Sequence, residues 1–305
     1  MSRYKYAIIT PARNEGLNIE NTIKSIINQT IKPQRWVIVN DSSTDNTKEI
    51  IEKYALKFDF IKHIELKRDG NSNFSSKVNA FNYGLLSLSE LDYDYIGNID
   101  ADISFECNYF ELLINRFSRD QSLGLCGGMI VENLNGVHRY RKTSENSVAG
   151  AVQFFRRCTY EKIGGYIPMR YGGVDAAAEI MVRMNNWEVR TFSDLKVIHN
   201  GPVSMGCNNS YSAYFRKGKI NCTLGYHPLF HFISSFLRMS CKPFVIGGIL
   251  MIFGYYAAKI KKIKPQLPRD AVEFLHTEQM ARLKRILKWK FGLNDVHQKI
   301  IKTTI

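Results

Sequence analysis

A chain of 305 residues that is 45% hydrophobic and 23% charged can bury a large core, which excludes a disordered or fibrous protein. Its formal charge of +14 is uneven: residues 1–200 carry 25 Lys and Arg against 24 Asp and Glu, and residues 201–305 carry 17 against 4. A basic region after a neutral one suits phosphate partners, in a nucleic acid or on an anionic lipid surface, with a solvated basic face as the plain alternative. The six cysteines (Cys107, Cys126, Cys158, Cys207, Cys222, Cys241) form no C-x-x-C pair. Neither a zinc knuckle nor a disulfide framework is indicated, and a reducing cytosol is the expected home. Met1 to Tyr6 is polar and basic, so no signal peptide is expected there.

In chain order, Tyr6 to Thr10 reads as a buried strand, and Asn14 can cap a helix that buries Leu17, Ile19, Ile23, Ile26 and Ile27. Trp36 to Asn40 is a second strand running into the polar turn 41–45, followed by a helix with Ile50, Ile51 and Tyr54. Ile61 to Leu66 predicts a third strand, Ser76 to Leu88 a helix and Tyr95 to Ile99 a fourth strand. Strand alternating with helix predicts an α/β fold, in which ligands gather beyond the carboxyl ends of the strands.

At the end of the fourth strand stands Asp100-Ala101-Asp102. Two carboxylates one residue apart can hold Mn2+ or Mg2+ against a diphosphate, because hard oxygen ligands suit such ions and the metal offsets the phosphate charge. Pro11 fixes the chain as it leaves the first strand, so the backbone of Ala12 and Arg13 can approach a nucleobase or ribose. Asp41 can accept the ring N–H of uracil or guanine, or simply cap the turn with Ser42 and Thr44. Arg68 and Lys77 can counter a diphosphate, or be ordinary surface charge.

Taken together, Pro11, Asn14 and Glu15, then Asp41, Ser43 and Asp45, then Lys77 and Asn79, then Asp100 and Asp102 follow one order along the chain. In that order the sequence resembles the family-2 inverting glycosyltransferases of the GT-A fold over roughly residues 5–200. The resemblance implies a nucleotide-binding mixed sheet flanked by helices in residues 1–205, and a donor site of Pro11, Ala12, Arg13, Asn14, Glu15, Asp41, Arg68, Lys77, Asp100 and Ala101. Glu15 would face the ribose or base. Asp100, Asp102 and His199 would be the metal ligands, imidazole favouring manganese. The donor would be a UDP-sugar rather than a GDP-sugar, as the commoner choice of the family.

Residues 149–157 and 160–166 look like the acceptor-side segment of that family, with Gln153 and Arg156 as contact candidates and Gly164-Gly165 as a tight turn or a helix stop. The Glu-Asp pair usual in the family is missing, since Ala176 and Ala177 stand in its place. Asp175 or Glu179, four apart on one helix face, is then the catalytic base; otherwise Asp175 caps the helix and Glu179 pairs with Arg183. The implied reaction is one in-line displacement at the anomeric carbon, which inverts it.

Residues 206–305 form a basic, mainly helical region in this reading. Two apolar stretches, 229–239 and 243–258, are flanked by Arg238, Lys242, Lys259, Lys261, Lys262 and Lys264. The second is shorter than the roughly twenty residues a span needs, so shallow insertion under anionic headgroups, soluble core packing and a true span are the alternatives. Gln279 to Leu283 faintly resembles the Gln-x-x-Arg-Trp element of processive synthases, with Leu283 in place of the Trp. The expected acceptor is a saccharide or lipid-linked saccharide, and the expected location the inner face of a cell membrane. Two other classes are weighed: a sugar nucleotidyltransferase, which lacks its glycine-rich phosphate loop here, and a nucleic-acid-binding protein, whose aromatics would interleave with basic residues.

Overall fold

The computed structural model describes residues 4–67, 76–134, 137–140, 144–201 and 211–290. The chain divides into two compact units, Met1–Asn208 and Asn209–Ile305.

In the first unit, β1 (Tyr6–Ala12), α1 (Ile19–Ile27), β2 (Arg35–Asp41), α2 (Thr47–Ala55), β3 (Ile61–Leu66), α3 (Ser76–Leu86) and β4 (Tyr95–Ile99) alternate as the apolar runs predict. All four strands are parallel, with Ile8 beside Trp36 on one side and Gly97 on the other. There follow β5 (Ile103–Phe105), α4 (Tyr109–Arg119), β6 (Leu123–Leu134), β7 (Val137–Tyr140), β8 (Val152–Arg156), α5 (Arg157–Lys162), α6 (Val174–Met184) and β9 (Glu188–His199). The sheet runs β3-β2-β1-β4-β8-β6-β9-β5, with β7 hydrogen-bonded to β6. It becomes mixed at β4, where β8 pairs antiparallel. A mixed sheet flanked by helices and followed by a helical region is the architecture that the resemblance implies.

Two local expectations are corrected. Asn14 does not cap α1: the helix starts at Ile19, and Asn14 sits in the left-handed region at φ 54°. Leu17, expected in the core, is 94% exposed, because it lies in the turn that precedes α1 rather than on the buried face of the helix. Ile19, Ile23 and Ile26 are fully buried as their spacing requires. The core beneath the sheet is aromatic: Tyr6 stacks on Phe110 and Tyr95 on Phe117, with Phe154 against Tyr6, Tyr95, Phe110 and Phe117.

Helix α3, which carries Lys77, is seated on the sheet through Gly84. A Cβ there would stand 2.9 Å from methyl carbons of both Ile9 and Val39. Gly84→Ala should therefore lower stability by about 1–2 kcal/mol, the overpacking cost exceeding the roughly 1 kcal/mol that alanine adds in a helix. Chemical denaturation of the two proteins measures the difference, and an increase would show that α3 shifts freely.

The second unit comprises α7 (Tyr211–Thr223), α8 (Pro228–Arg238), α9 (Ile246–Ile260) and α10 (Arg269–Lys290). Ala271, Leu275, Gln279 and Leu283 of α10 are buried at a four-residue spacing. The Gln279 side-chain oxygen accepts the His227 backbone N–H at 2.9 Å at the start of α8, so the Gln of the Gln-x-x-Arg-like element is packed inside while Arg282 is exposed. No helix among the described residues is long and apolar enough to cross a membrane.

Candidate active site

The loops after β1 and β2 are tied together by hydrogen bonds. The backbone N–H groups of Asn14, Glu15 and Gly16 donate to Ser43 Oγ (3.0 Å), Thr47 Oγ1 (2.8 Å) and Asp45 Oδ2 (2.9 Å), and the Thr44 N–H donates to Asn14 Oδ1 (2.8 Å). Asp45 also accepts the Thr47 N–H at the start of α2. Asn14, Ser43 and Asp45 are thus committed to fixing a loop pair. That pair forms one wall of a cleft of about 350 Å³ lined by Pro11, Ala12, Arg13, Glu15, Asp41, Lys77, Asp100 and Asp102, among others. Asp41 is buried at the end of β2. Burial, reinforced by the charge of Asp102, pushes the Glu15 carboxyl up to about 7.

The carboxyl end of β4 delivers the acidic triplet to this cleft. Asp100 is held by its backbone N–H to Ala151 O (3.0 Å), and its carboxylate is ion-paired with Lys77. Burial raises the Asp100 pKa despite the neighbouring ammonium. Burial also works against the charge of Lys77, but the Asp100 carboxylate outweighs it and the Lys77 pKa rises. The register of β5 with β9 sets Ile103 beside His199, which places the imidazole against the preceding Asp102. His199 Nε2 lies 3.1 Å from Asp102 Oδ2. The hydrogen bond to Asp102 raises the His199 pKa. Burial pushes Asp102 up, but the hydrogen bond and charge of His199 outweigh it and bring the carboxyl below its ordinary value.

Asp102 Oδ1 is buried with no hydrogen-bond partner among the described residues. A buried, unpartnered carboxylate oxygen beside an imidazole fits a hard or borderline divalent ion. Among the described residues no three His, Cys, Asp or Glu side chains converge on one metal position, so Asp102 and His199 fit as a partial ligand set.

A second cleft, of about 420 Å³, opens on the other side of Lys77 and Asp100. Asn98, Gln153, Tyr166, Asp175 and His199 are among its lining residues, with the backbone of 149–151. Asn98 Nδ2 donates to Gly150 O at 2.9 Å, and Tyr166 Oη donates to Gln153 Oε1 at 2.8 Å. Gly164 and Gly165, both at positive φ, end α5 and turn Tyr166 back onto β8. Asp175 stands at the first turn of α6, close against Gly150, where an added Cβ would lie 3.3 Å from Asp175 Oδ2.

The remaining candidates lie elsewhere. Glu179 is buried, and its Oε1 accepts Ser147 Oγ (3.0 Å) and the Val148 N–H (2.8 Å), with Arg183 at 3.8 Å. Arg156 is not at the acceptor side: its guanidinium donates to the carbonyls of Phe117, Leu123 and Asp120 around the end of α4. Asn79 is exposed on α3. Arg68 lies outside the described residues. Asn98 and Tyr166 were not singled out from the sequence. Asn98 had a readable signal, a lone amide in an apolar strand on the same face as Asp100.

Burial pushes Glu179 up to about 7, partly countered by the Val148 N–H. A folded pKa above the unfolded 4.5 means that the native state binds the extra proton, so this contribution is complete below the unfolded value and is lost as pH rises through about 7. Glu179→Gln keeps an acceptor for Ser147 and Val148 without the buried charge. It should raise the melting temperature at pH 8, by an amount on the order of 1–3 kcal/mol in stability, and flatten its dependence on pH between the two values. A lower melting temperature at pH 8 would show that the charge itself is needed.

The model of glycosyl transferase family 2 matches residues 7–177, more than half of the chain. A cholesterol galactosyltransferase of Borreliella burgdorferi is 34% identical over 124 residues, covering 41% of this chain and 32% of that protein, so the chain spans about a third of that relative's length. Among solved structures, Staphylococcus aureus TarS 1-349 in complex with UDP-GlcNAc superposes with a TM-score of 0.54 at 17% identity, covering 71% of this chain and 65% of that one. The mannosyltransferase PcManGT of Pyrobaculum calidifontis, in complex with GDP-Man and Mn2+, gives 0.54 at 15% identity over 98% and 83% of the two chains. The chain belongs to glycosyl transferase family 2.

Proposed function

We propose that the chain is an inverting glycosyltransferase that moves one sugar from a nucleoside diphosphate donor, UDP-sugar in preference to GDP-sugar, to a saccharide or lipid-linked saccharide. The products would be cell-surface polysaccharide or glycoconjugate, and the enzyme would sit peripherally on the inner face of the cell membrane. The observation that carries the reading is the meeting of two clefts at Lys77 and Asp100. A donor in the Pro11–Asp41 cleft has its diphosphate at Lys77, and its anomeric carbon then points into the cleft that holds Asp175. The complexes of TarS with UDP-GlcNAc and of PcManGT with GDP-Man support a nucleotide-sugar donor.

In this mechanism Asp41 and the backbone of Ala12 and Arg13 bind the base and ribose, with Glu15 beside them. Lys77 offsets charge that grows on the departing diphosphate, and Arg68 is a further candidate for that work. Asp102 and His199, with Asp100 nearby, would hold a divalent cation, Mn2+ or Mg2+, which would supply Lewis-acid stabilisation of the same leaving group. Asp175 takes the proton of the acceptor hydroxyl as the new bond forms, while the buried Gln153–Tyr166 pair backs the wall beside it. Glu179 holds the 147–148 turn, which leaves Asp175 as the base.

Three measurements test these roles. Asp175→Asn should lose turnover by about 10²-fold or more with donor affinity unchanged, whereas Glu179→Gln should keep most of it. The reverse pattern would exchange the two assignments. Asp102→Ala should abolish the Mn2+-dependent rise in melting temperature caused by UDP; an unchanged rise would remove Asp102 from the metal site. A melting panel of UDP, GDP and their sugars with Mn2+ reads the donor directly, and stabilisation by GDP alone would overturn the uridine preference.

A further inference from the structure

We infer that α8 and α9 form a face that inserts beneath the headgroups of an anionic phospholipid bilayer. Apart from Lys259 in its last turn, the exposed residues of α9 are Ile246, Ile249, Phe253, Tyr256 and Ile260, a stripe with helical spacing. Phe253 is 63% and Ile260 80% exposed. Leu229, Phe232, Phe236 and Leu237 make the matching face of α8, and Phe244 and Val245 lie exposed in the connection between the helices.

The inward face of α9 has one large residue, Tyr255; the others that face the protein are Gly247, Gly248, Gly254 and Ala258. A Cβ on Gly254 would stand 2.0 Å from Phe215 O of α7, one on Gly218 of α7 would stand 2.1 Å from Met251 O, and one on Gly248 would stand 2.4 Å from Ser235 O of α8. The helices therefore touch backbone to backbone. The polar groups are inside as well: His231 is fully buried, stacked on Tyr255 with ring centroids 4.2 Å apart and within hydrogen-bond distance of Asn221 and Met251 O. Small and polar residues within and large apolar residues outward is the arrangement of helices packed in lipid.

Charge identifies the occupant. Residues 211–264 contain nine Lys and Arg and no Asp or Glu, and Lys242, Lys259, Lys261, Lys262 and Lys264 are exposed around the ends of α9. A second copy of the same face would bring these like charges together, whereas an anionic headgroup layer attracts them. At 15 residues α9 is about 22 Å long, short of a hydrocarbon core of about 30 Å, so it lies in one leaflet.

Co-sedimentation of the whole chain with vesicles reads binding without any transfer reaction, so it fails or succeeds independently of the proposed activity. The protein should sediment with equimolar phosphatidylglycerol and phosphatidylcholine vesicles and not with phosphatidylcholine alone. Replacing Lys259, Lys261, Lys262 and Lys264 by Gln should weaken partitioning by roughly fivefold per charge removed. Phe236→Glu with Phe253→Glu should abolish it. In case that pair misfolds, Phe253→Trp should show quenching by brominated acyl chains on adding vesicles, and Glu273→Trp, exposed on α10, should not. A chain that stays unbound, or an indole at position 253 whose fluorescence the lipid leaves unchanged, overturns the inference. Loss of self-association in the double Glu variant without any vesicle binding would identify the face as a dimer contact instead.

Discussion

The two-sided pairing of β4 organises the first unit. On one edge β1 runs parallel to it, and on the other β8 runs antiparallel, from Ile99 beside Val152 to Tyr95 beside Arg156. An antiparallel neighbour brings its entering loop to the carboxyl end of the strand it joins. The 147–151 segment therefore meets Asp100, while the β1 and β2 loops reach the same residue from the other side. Had β8 been parallel, its entering loop would lie at the far edge of the sheet, and Lys77 and Asp100 would border one cleft instead of two.

The parallel half of this unit is legible in the sequence because each strand is a β-branched run read within its own few residues. The strand ends 11–15, 41–45 and 100–102 were legible as polar clusters for the same reason. What each polar residue does there was not. Asn14 looked like a helix cap, since an amide before an apolar periodic stretch has that signature; it serves instead as a bridge to Thr44, thirty residues away. Arg156 looked like an acceptor contact, but three backbone carbonyls near the end of α4 hold it. The pairing of His199 with Asp102 depends on register between β5 and β9, which no local pattern encodes. The distinction between Asp175 and Glu179 is of the same kind. Four residues apart they share a helix face, and only the 147–148 turn separates their environments.

The helical unit shows how far apolar composition alone misleads. Both apolar stretches were expected to bury themselves in lipid or protein, and by residue count either would do. The glycines decide the orientation of α9, since close backbone approach consumes its small face and leaves its large residues outward. The interior of this unit combines apolar side chains, Leu224, Phe230, Tyr255, Leu275 and Leu283 among them, with buried polar contacts such as that of His231 with Asn221.

The division of the sheet at β4 also has a kinetic side. Strands β1 to β4 come from one continuous stretch, residues 6–99, which is synthesised before Gly150 and His199. The other side is assembled from residues far apart in sequence: Asp102 waits for His199, and Asn98 for Gly150. During synthesis the loops after β1 and β2 can therefore be in place while the 147–151 segment and His199, which border the second cleft, are still unmade.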